Sequence, residues 1–370
     1  MKVQDFVKII GGEFFTGVPD SLLKPLVDYL LDKWQDNDRH IIAANEGNAA
    51  AIGAGYYLAT GKVPVVYMQN SGEGNAVNPM ASLLHPKVYG IPELFIIGWR
   101  GEPGIKDEPQ HIFQGEITLS LLNLLEIEYS IIRENTSLQE LHQIMENFQE
   151  LQQQGKSTAL VVAKGALRYE KKTYVNSYHM KREEILKHIL TATGDDPVIS
   201  TTGKTSRELF ELREIQEAKV HSRDFLTVGS MGHTSSIALG IALQLPNRNI
   251  WCIDGDGAVL MHGGAMAVIG KAQPRNMIHI VINNEAHESV GGQPTAANAV
   301  DLTAMAKACG YKYARCVSDF VSLDRVLADY AGLKGLRFLE IKTAIGSRKN
   351  LGRPSISPCD NKKLFVEAIR

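Results

Sequence analysis

The chain has 370 residues, of which 39 are lysine or arginine and 41 are aspartate or glutamate, so its formal net charge is −2. This length predicts two domains, because single domains commonly contain roughly 100–200 residues. The balanced charge argues against a nucleic-acid partner and against binding to an acidic membrane surface. With 44% hydrophobic and 22% charged residues, the composition is that of an ordered globular protein.

The N-terminal sequence and the cysteine pattern indicate the cellular compartment of the protein. The first ten residues, MKVQDFVKII, carry Asp5 and Lys8 where a secretory signal needs an apolar core. The longest uncharged segment, residues 225–247, contains glycine, histidine, serine and proline and is too polar to cross a bilayer. Four cysteines lie in the second half without a CxxC pair, which indicates neither a disulfide framework nor a zinc site. We therefore expect a cytoplasmic protein with no membrane partner.

Six short apolar runs are separated by glycine-rich breaks and helical stretches. Strands that are apolar on both faces and alternate with helices form parallel sheets covered on both sides. We therefore predict an α/β fold with two doubly wound parallel-sheet domains, residues 1–168 and 183–370, joined by a charged linker at residues 169–182. The six predicted strands are residues 63–70, 93–100, 159–164, 249–254, 277–284 and 337–342.

The two halves share one spacing. Asn70 and Trp99, at the ends of two successive predicted strands, are 29 residues apart, and so are Asp254 and Asn283. In each half a glycine-rich loop follows the first of these strands, NSGEGN in one and DGDGAV in the other. Ligands of open parallel sheets bind beyond the carboxyl ends of the strands. The sequence thus predicts two copies of one α/β plan, with these loops as the walls of the site.

The segment DGDG, residues 254–257, ends one predicted strand. Acidic residues with glycines form ordinary turns, so the segment alone fits a turn, a metal site or a phosphate site, although it lacks the downstream acid of an EF-hand. Asn283, 27 residues after Asp256, adds an amide oxygen of the kind that Mg²⁺ accepts. Gly255 and Gly257 would let a diphosphate approach the backbone at a helix N-terminus.

The order Gly255-Asp256-Gly257, 25 further residues and Asn283-Asn284 resembles the cofactor fingerprint of thiamine diphosphate enzymes. The resemblance implies that thiamine diphosphate binds through Mg²⁺, which Asp256, Asn283 and the main-chain carbonyl of Glu285 would hold. A glycine is common in that family where Glu285 stands, and a main-chain ligand tolerates the change. Asp254 is expected to brace the loop or to bond near the phosphates.

Two further segments match the same family. In AANEGNAAAIGAGYY, the resemblance places Glu46 opposite N1′ of the aminopyrimidine, where small apolar neighbours would raise its pKa. In VGSMGH, it assigns the carbonyl of Gly229 to the 4′-amino group and the side chain of Met231 to holding the cofactor bent. Asn70 and Asn75, in QNSGEGNAVNP, are expected at the cofactor as well. The first domain would bind the pyrimidine ring and the second the diphosphate.

A narrower resemblance is to the phosphonopyruvate decarboxylases and their sulfopyruvate decarboxylase relatives. It is carried by TGVPDSLLK, QNSGEGNAVNP, STTGKTSRELFE, VGGQPT and GSRKNLGRP. It implies non-oxidative decarboxylation of 3-phosphonopyruvate to phosphonoacetaldehyde in phosphonate biosynthesis. It also implies a homo-oligomer in which Glu46 and Asp256 of one site come from different chains.

Three alternatives remain open. The first is sulfopyruvate decarboxylase, whose two domains often occur as separate chains, whereas here they are fused. The second is another short thiamine diphosphate-dependent 2-keto acid decarboxylase. The third is a non-catalytic α/β nucleotide-binding regulatory protein, which would need neither Glu46 nor the pair Gly229 and Met231.

Cationic side chains in the loops after the strands are expected to bind the phosphonate of the substrate. The candidates are Arg100, Lys106, His111, Lys204, Arg207, Arg348 and Arg353. The reaction also needs a proton donor, for which the candidates are His111, His233, His262 and His287, with His287 and His233 the first choices.

Overall fold

The computed structural model describes residues 1–34, 38–216 and 221–370. These residues form two compact units, one of Met1–Thr173 with Val290–Gln293 and the other of Tyr174–Ser289 with Pro294–Arg370. The division after Thr173 lies inside the segment predicted as a linker. Among the described residues, no helix combines the length and hydrophobicity that crossing a membrane requires.

The first unit is built on one parallel sheet with strand order β2-β1-β3-β4-β6-β5. Its strands are β1 (Phe15–Gly17), β2 (His40–Ile42), β3 (Val65–Gln69), β4 (Leu94–Gly98), β5 (Glu128–Ile132) and β6 (Thr158–Val162). Its helices are α1 (Val3–Ile10), α2 (Lys24–Lys33), α3 (Glu46–Thr60), α4 (Glu73–Asn78), α5 (Pro109–Leu124) and α6 (Leu138–Gln153). A 3₁₀ turn (Asn70–Gly72) precedes α4, and a π-helical segment (Pro79–Leu84) follows it.

The second unit contains another six-stranded parallel sheet, ordered β13-β14-β10-β9-β7-β8. The strands that follow β6 are β7 (Val198–Ser200), β8 (Asp224–Leu226), β9 (Ile250–Gly255), β10 (Met277–Asn283), β11 (Ala286–His287), β12 (Gln293–Pro294), β13 (Tyr313–Val317) and β14 (Arg337–Lys342). The helices are α7 (Arg182–Thr193), α8 (Lys204–Gln216), α9 (Thr234–Gln244), α10 (Asp256–Met261), α11 (Gly264–Ala272), α12 (Leu302–Ala308), α13 (Phe320–Gly332) and α14 (Pro358–Ile369), with a 3₁₀ turn at Ala296–Ala299.

The two sheets have the same topology. Read from β8, the second sheet is ordered β8-β7-β9-β10-β14-β13, which repeats the order of the first sheet when its six strands are counted from β7. The prediction of two copies of one α/β plan is therefore confirmed. In each sheet the strand order reverses between the first and third strands, and ligands bind at such switch points. The loops after β3 and β9 stand at these positions.

Each sheet is apolar on both faces, as the continuous hydrophobic runs predicted. In β3, Val65 and Tyr67 pack into one core cluster while Val66 and Met68 pack into another. In β9, Trp251 and Ile253 face one cluster, and Ile250 and Cys252 face the opposite one. Burial of both faces fixes the register of these strands and holds their polar ends at one edge of the sheet.

Candidate functional site

The DGDG segment forms the junction between β9 and α10. Gly255 ends β9 in an extended conformation, and a Cβ placed there would meet no atom within 4 Å, so open space lies beside this backbone. Asp254 is completely buried and its Oδ1 accepts a hydrogen bond from the N–H of Gly255 at 2.9 Å. Its Oδ2 lies 3.6 Å from Nε2 of His279. Asp254 thus points into the protein and braces the loop, while Asp256 starts the helix.

The predicted metal donors lie at the ends of two paired strands. Ile282 of β10 is in register with Gly255 of β9, so Asn283 and Asp256 follow at the same edge. Asp256 is 4% exposed and Asn283 is completely buried. Oδ2 of Asp256 accepts a hydrogen bond from Oγ1 of Thr295 at 2.5 Å. The edge therefore offers buried carboxylate and amide oxygens, the hard donors that suit Mg²⁺.

Burial controls the charge of Asp256. The pKa of Asp256 is raised to about 6, chiefly by burial and to a smaller extent by the negative charge of Glu285, while the hydrogen bond from Thr295 opposes the shift. A divalent cation at this carboxylate would oppose the shift, because it favours the ionised form. The residues present thus fit a bound Mg²⁺.

The third donor, the main-chain carbonyl of Glu285, belongs to a constrained turn. Glu285 has φ +58°, in the left-handed region that glycine adopts most readily, so this backbone position would also suit a glycine. Its N–H donates to Oδ1 of Asn283 at 2.9 Å. Its carboxylate accepts from the hydroxyl of Tyr178 at 2.6 Å and from Nζ of Lys342 at 3.3 Å. The side chain of Glu285 is therefore hydrogen-bonded to two residues of the second unit.

The loop between β8 and α9 contains the predicted cofactor-bending pair. Gly229, Ser230 and Gly232 have φ values of +69°, +48° and +86°, so the backbone turns sharply on both sides of Met231. The N–H of Gly229 donates to Oγ1 of Thr202 at 3.1 Å, which ties this loop to the loop after β7. Met231 is partly exposed in the loop that follows β8.

The two preferred proton donors have different environments. His233 is exposed, and its ring lies 4.3 Å from that of His262 between centroids. His287 is buried beside Gly257, and burial lowers the pKa of its imidazole to about 4, so the ring is neutral at pH 7. Because burial disfavours the charged form of His287, the exposed His233 is the better candidate for the proton donor.

In the first unit, Glu46 is the first residue of α3 and is 5% exposed. Oδ1 of Asn45, the N-cap residue, accepts hydrogen bonds from the helix N–H groups and fixes where the helix begins. Burial raises the pKa of Glu46, although the hydrogen bond from Asn75 opposes this effect. Nδ2 of Asn75 donates to Oε2 of Glu46 at 2.7 Å. A Cβ on Gly72 would come within 2.4 Å of Oε1, so only glycine fits against this carboxylate.

Asn70 has a different role from Asn75. Its Nδ2 donates to the carbonyl of Arg100 and to Oγ1 of Thr118, both at 2.8 Å. Its Oδ1 accepts from the N–H of Arg100 at 3.1 Å. The amide of Asn70 therefore joins the loops after β3 and β4. Of the two asparagines, Asn75 is the one that contacts the carboxylate of Glu46.

The structure places the three predicted anion ligands of the first unit in the loop after β4 and at the start of α5. Arg100 forms a two-point pair with Asp107 and also donates to Oγ of Ser21 at 2.9 Å. Lys106 is exposed. His111 is buried, and burial lowers the pKa of its imidazole to about 4, so it is neutral at pH 7. Lys106 alone presents an exposed charge.

The predicted cations of the second unit are divided between the first turn of α8 and the segment GSRKNLGRP. Lys204, the first residue of α8, donates to Oε1 of Glu288 at 3.0 Å. Arg207 donates to the carbonyls of Gly352 and Leu351, while Arg348 pairs with Glu183 and Glu211. The structure thereby brings the start of α8 together with the segment GSRKNLGRP, in which Arg353 is exposed.

Several residues of the site were missed by sequence reasoning. Thr295 binds Asp256, and Glu340 accepts from Nδ2 of Asn283 at 2.8 Å. Arg182, which contacts Glu288, was assigned to the linker. Thr295 and Glu288 lie close to the metal segment in sequence, which was the available signal. Glu340 and Arg182 are distant in sequence, and only folding brings them to the site.

Two family descriptions match the chain. "Thiamine pyrophosphate enzyme, N-terminal TPP binding domain" matches residues 3–122 and "Thiamine pyrophosphate enzyme, C-terminal TPP binding domain" matches residues 201–341. The first match includes Glu46, and the second includes Asp256 and Asn283. The two parallel-sheet units are therefore thiamine diphosphate-binding domains, as predicted.

Proteins that are similar over nearly the whole chain indicate a narrower family within the thiamine pyrophosphate enzymes. A phosphonopyruvate decarboxylase of Streptomyces viridochromogenes is 36% identical over 377 residues, covering 96% of this chain and 91% of that protein. One from Streptomyces hygroscopicus is 32% identical, covering 97% of this chain and 90% of that protein. A sulfopyruvate decarboxylase of Methanosarcina acetivorans is 27% identical, covering 100% of this chain and 97% of that protein. The chain belongs to the thiamine pyrophosphate enzymes, in the family that contains phosphonopyruvate decarboxylase.

Proposed function

We propose that this chain decarboxylates 3-phosphonopyruvate to phosphonoacetaldehyde and CO₂, with thiamine diphosphate and Mg²⁺, in phosphonate biosynthesis. The observation that carries the proposal is the buried Glu46 with its raised pKa and its hydrogen bond from Asn75. Burial makes this carboxyl hold its proton more readily than an exposed one, which suits it to exchanging a proton with a bound partner. The substrate is inferred from the relative that is 36% identical over nearly the whole chain.

Each candidate residue has a defined task in this proposal. Glu46 would exchange a proton with N1′ of the aminopyrimidine of the bound cofactor. The carbonyl of Gly229 would accept a hydrogen bond from the 4′-amino group, and the side chain of Met231 would pack against the rings. Asp256 and Asn283, with the main-chain carbonyl of Glu285, hold Mg²⁺ and through it the diphosphate. When bound, thiamine diphosphate accepts the electron pair that is released as CO₂ leaves.

The reaction breaks the bond between C1 and C2 of the substrate. The carboxylate carbon leaves as CO₂, and C2 takes up one proton and becomes the aldehyde carbon. His233 is the preferred donor of that proton, since it is exposed at the end of the Gly229–Met231 loop while His287 is buried and neutral. Lys204 and Lys106 are the preferred phosphonate ligands, because Lys204 begins the helix after β7 and Lys106 lies exposed in the loop after β4.

Sulfopyruvate decarboxylation is the second candidate function. A sulfonate and a phosphonate present similar anionic oxygens to cationic side chains, so the proposed ligands suit both. Fusion of the two domains does not separate the candidates, because the sulfopyruvate decarboxylase of Methanosarcina acetivorans matches the whole of this chain. The higher identity to phosphonopyruvate decarboxylases favours the first substrate. Matches to both cofactor-binding domains disfavour a nucleotide-binding regulatory protein.

We further propose a cytoplasmic homo-oligomer with active sites at subunit interfaces. The four cysteines are all free thiols, which suits a reducing compartment. Assembly is inferred from the family, whose sites combine the first domain of one chain with the second domain of another. It is tested by the mixing experiment described in the Discussion.

The substrate proposal is tested with the purified chain, thiamine diphosphate and Mg²⁺. Phosphonopyruvate, sulfopyruvate and pyruvate are offered in parallel, and aldehyde formation is followed. We expect the highest kcat/KM for phosphonopyruvate. A higher value for sulfopyruvate would reverse the order of the two candidates, and equal turnover of pyruvate would indicate a less selective 2-keto acid decarboxylase.

A further inference from the structure

Arg182 is a buried cation at the start of α7, at the end of the segment predicted to be a linker. Its side chain is 6% exposed, and the two carboxylates that it contacts, Glu208 and Glu288, are 1% and 7% exposed. Burying charges costs free energy unless each charge is paired and hydrogen-bonded. Such a set of charges therefore needs a structural or functional explanation.

The guanidinium of Arg182 joins two elements of the second unit. Its Nε and Nη2 donate to Glu208 of α8 at 2.7 and 2.9 Å, and its Nη1 and Nη2 donate to Glu288 at 2.9 and 3.3 Å. Nζ of Lys204 also donates to Glu288. We call these four residues the Arg182 cluster. It contains two positive and two negative charges, and its two-point pairs fix orientation as well as charge.

Glu288 connects this cluster to the proposed metal segment. Its Oε2 accepts a hydrogen bond from Nδ2 of Asn284 at 2.8 Å. Asn284 stands between Asn283 and Glu285, the two donors that this segment offers to Mg²⁺. The cluster thus holds the middle residue of the turn that presents both donors.

The turn needs support from outside because of its backbone conformation. Glu285 has φ +58°, and this left-handed conformation is unfavourable for a residue with a long side chain. Hydrogen bonds at the turn contribute to its stability: the N–H of Glu285 donates to Oδ1 of Asn283 at 2.9 Å, and the carbonyl of Glu285 accepts from the N–H of Thr295 at 3.0 Å. A salt-bridged anchor three residues further along the chain restricts the alternatives to this conformation.

We propose that Arg182 is a positioning residue for the Mg²⁺ site, which acts through Glu288 and Asn284 on the turn that presents Asn283 and Glu285. The inference rests on the proposed function only in assuming that Mg²⁺ binds at this turn. Residues behind metal ligands commonly change metal affinity about 10–100-fold when they are replaced. The hydrogen bonds of Arg182 go to Glu208 and Glu288 and not to the proposed metal donors or to His233. Its proposed role is therefore to position the turn and not to take part in the reaction directly.

The test compares two buried arginines of the same unit. Arg182→Lys keeps the charge but loses the two-point pairing. The control is Arg213→Lys, because Arg213 also forms a buried two-point pair, with Asp224, at 2.9 and 3.0 Å. Asp224 begins β8, at the opposite end of the strands from the metal segment. The two changes are chemically matched but differ in their connection to the turn.

The measurement is an Mg²⁺ titration of the full-length chain with saturating thiamine diphosphate, followed by protein fluorescence, together with Tm of the apoprotein. We expect Arg182→Lys to raise the apparent Kd for Mg²⁺ about 10–100-fold. Excess Mg²⁺ should then restore kcat. Arg213→Lys should lower Tm and leave the Kd for Mg²⁺ at the wild-type value.

Glu288→Gln, which keeps the shape but removes the charge that Arg182 binds, should raise the Kd as well, and it decides the matter if Arg182→Lys does not fold. A lower Tm of Arg182→Lys and Glu288→Gln with an unchanged Kd for Mg²⁺ would overturn the inference. Substrate turnover is a separate readout: a wild-type chain that binds Mg²⁺ but leaves phosphonopyruvate intact would refute the proposed substrate alone. Absence of Mg²⁺ binding in the wild type would refute the metal site and this inference together.

Discussion

The chemistry of individual residues in this chain depends on their burial. Glu46 and Asp256 are ordinary carboxylic acids in the sequence, yet burial raises the pKa of both. Although burial raises the pKa of both carboxyls, the two side chains suit different tasks. Glu46, held by Asn75, is suited to proton exchange, whereas Asp256 stands among oxygen donors that suit a cation.

The role of Glu46 is tested by Glu46→Gln. Glutamine preserves the size of the side chain but cannot exchange a proton, so we expect turnover to fall by about 10²–10⁴-fold. Binding of thiamine diphosphate should remain detectable by fluorescence quenching. The control is Glu93→Gln, since Glu93 is also completely buried with its pKa raised by burial but precedes β4, at the opposite end of the sheet. Equal activity of the two variants would refute the role of Glu46.

The role of Glu285 is predicted to be confined to its main chain. Glu285→Gly removes the side chain but suits φ +58°, so we expect the Mg²⁺ affinity to stay close to that of the wild type. Asn283→Ala removes a donor oxygen and should weaken binding about 10-fold or more. Both are measured by Mg²⁺ titration. A loss in Glu285→Gly as large as that in Asn283→Ala would mean that the carboxylate itself binds the metal.

At the scale of elements, the start of α3 and the short helix α4 form a single support for Glu46. Gly72, just before α4, allows the carboxylate of Glu46 to lie against the backbone, and Asn75 within α4 supplies its hydrogen bond. These contacts explain two residues of the sequence NSGEGN. Its first glycine, Gly72, leaves room for the carboxylate of Glu46, and its second asparagine, Asn75, donates a hydrogen bond to that carboxylate.

Gly72→Ala should displace the carboxylate of Glu46, because the new Cβ would lie within 2.6 Å of three of its atoms. Misplacing a catalytic group by about 1 Å can cost about 100-fold in rate, and we expect a loss of kcat of this order. The matched control is Gly74→Ala in α4, where a Cβ meets no atom within 4 Å. Comparable kcat for the two variants would contradict the proposed support.

Secondary structure was predictable where burial is complete on both faces. The six strands predicted from apolar runs are all observed, as β3, β4, β6, β9, β10 and β14. The strands that were missed are either no longer than three residues, as in β1, β2, β7, β8, β11 and β12, or partly exposed, as in β5 and β13. Short or amphipathic edge strands carry too few apolar residues for a pattern to identify them.

At the scale of the whole molecule, the repeated strand order places a candidate half-site at the switch point of each sheet. The loops after β1 and β3 in the first unit are joined by Gln69, whose Nε2 donates to Asp20 at 2.5 Å. The loops after β7 and β8 in the second unit are joined by Gly229 and Thr202. Each unit thus forms its half-site from its own interactions.

Assembly of the two half-sites between chains is tested by mixing inactive variants. Glu46→Gln chains and Asp256→Ala chains should each be inactive alone. If each site takes Glu46 from one chain and Asp256 from the other, random exchange in a dimer should restore about one quarter of the wild-type activity. Subunit exchange is verified with differently tagged chains. Exchange without recovery of activity would show that one chain supplies both residues.

The sequence by itself determined the fold class, the cofactor-binding motifs and the repeated plan. These depend on local features, namely apolar runs long enough to be buried on both faces and glycines and acids at fixed spacings. It could not show that Asn70 is committed to structure, that His287 is neutral, or that Arg100, Lys204 and Arg348 are paired with carboxylates. Only the tertiary structure decided these points, because burial and pairing depend on groups such as Arg182 and Glu340 that are distant in sequence and meet only after folding.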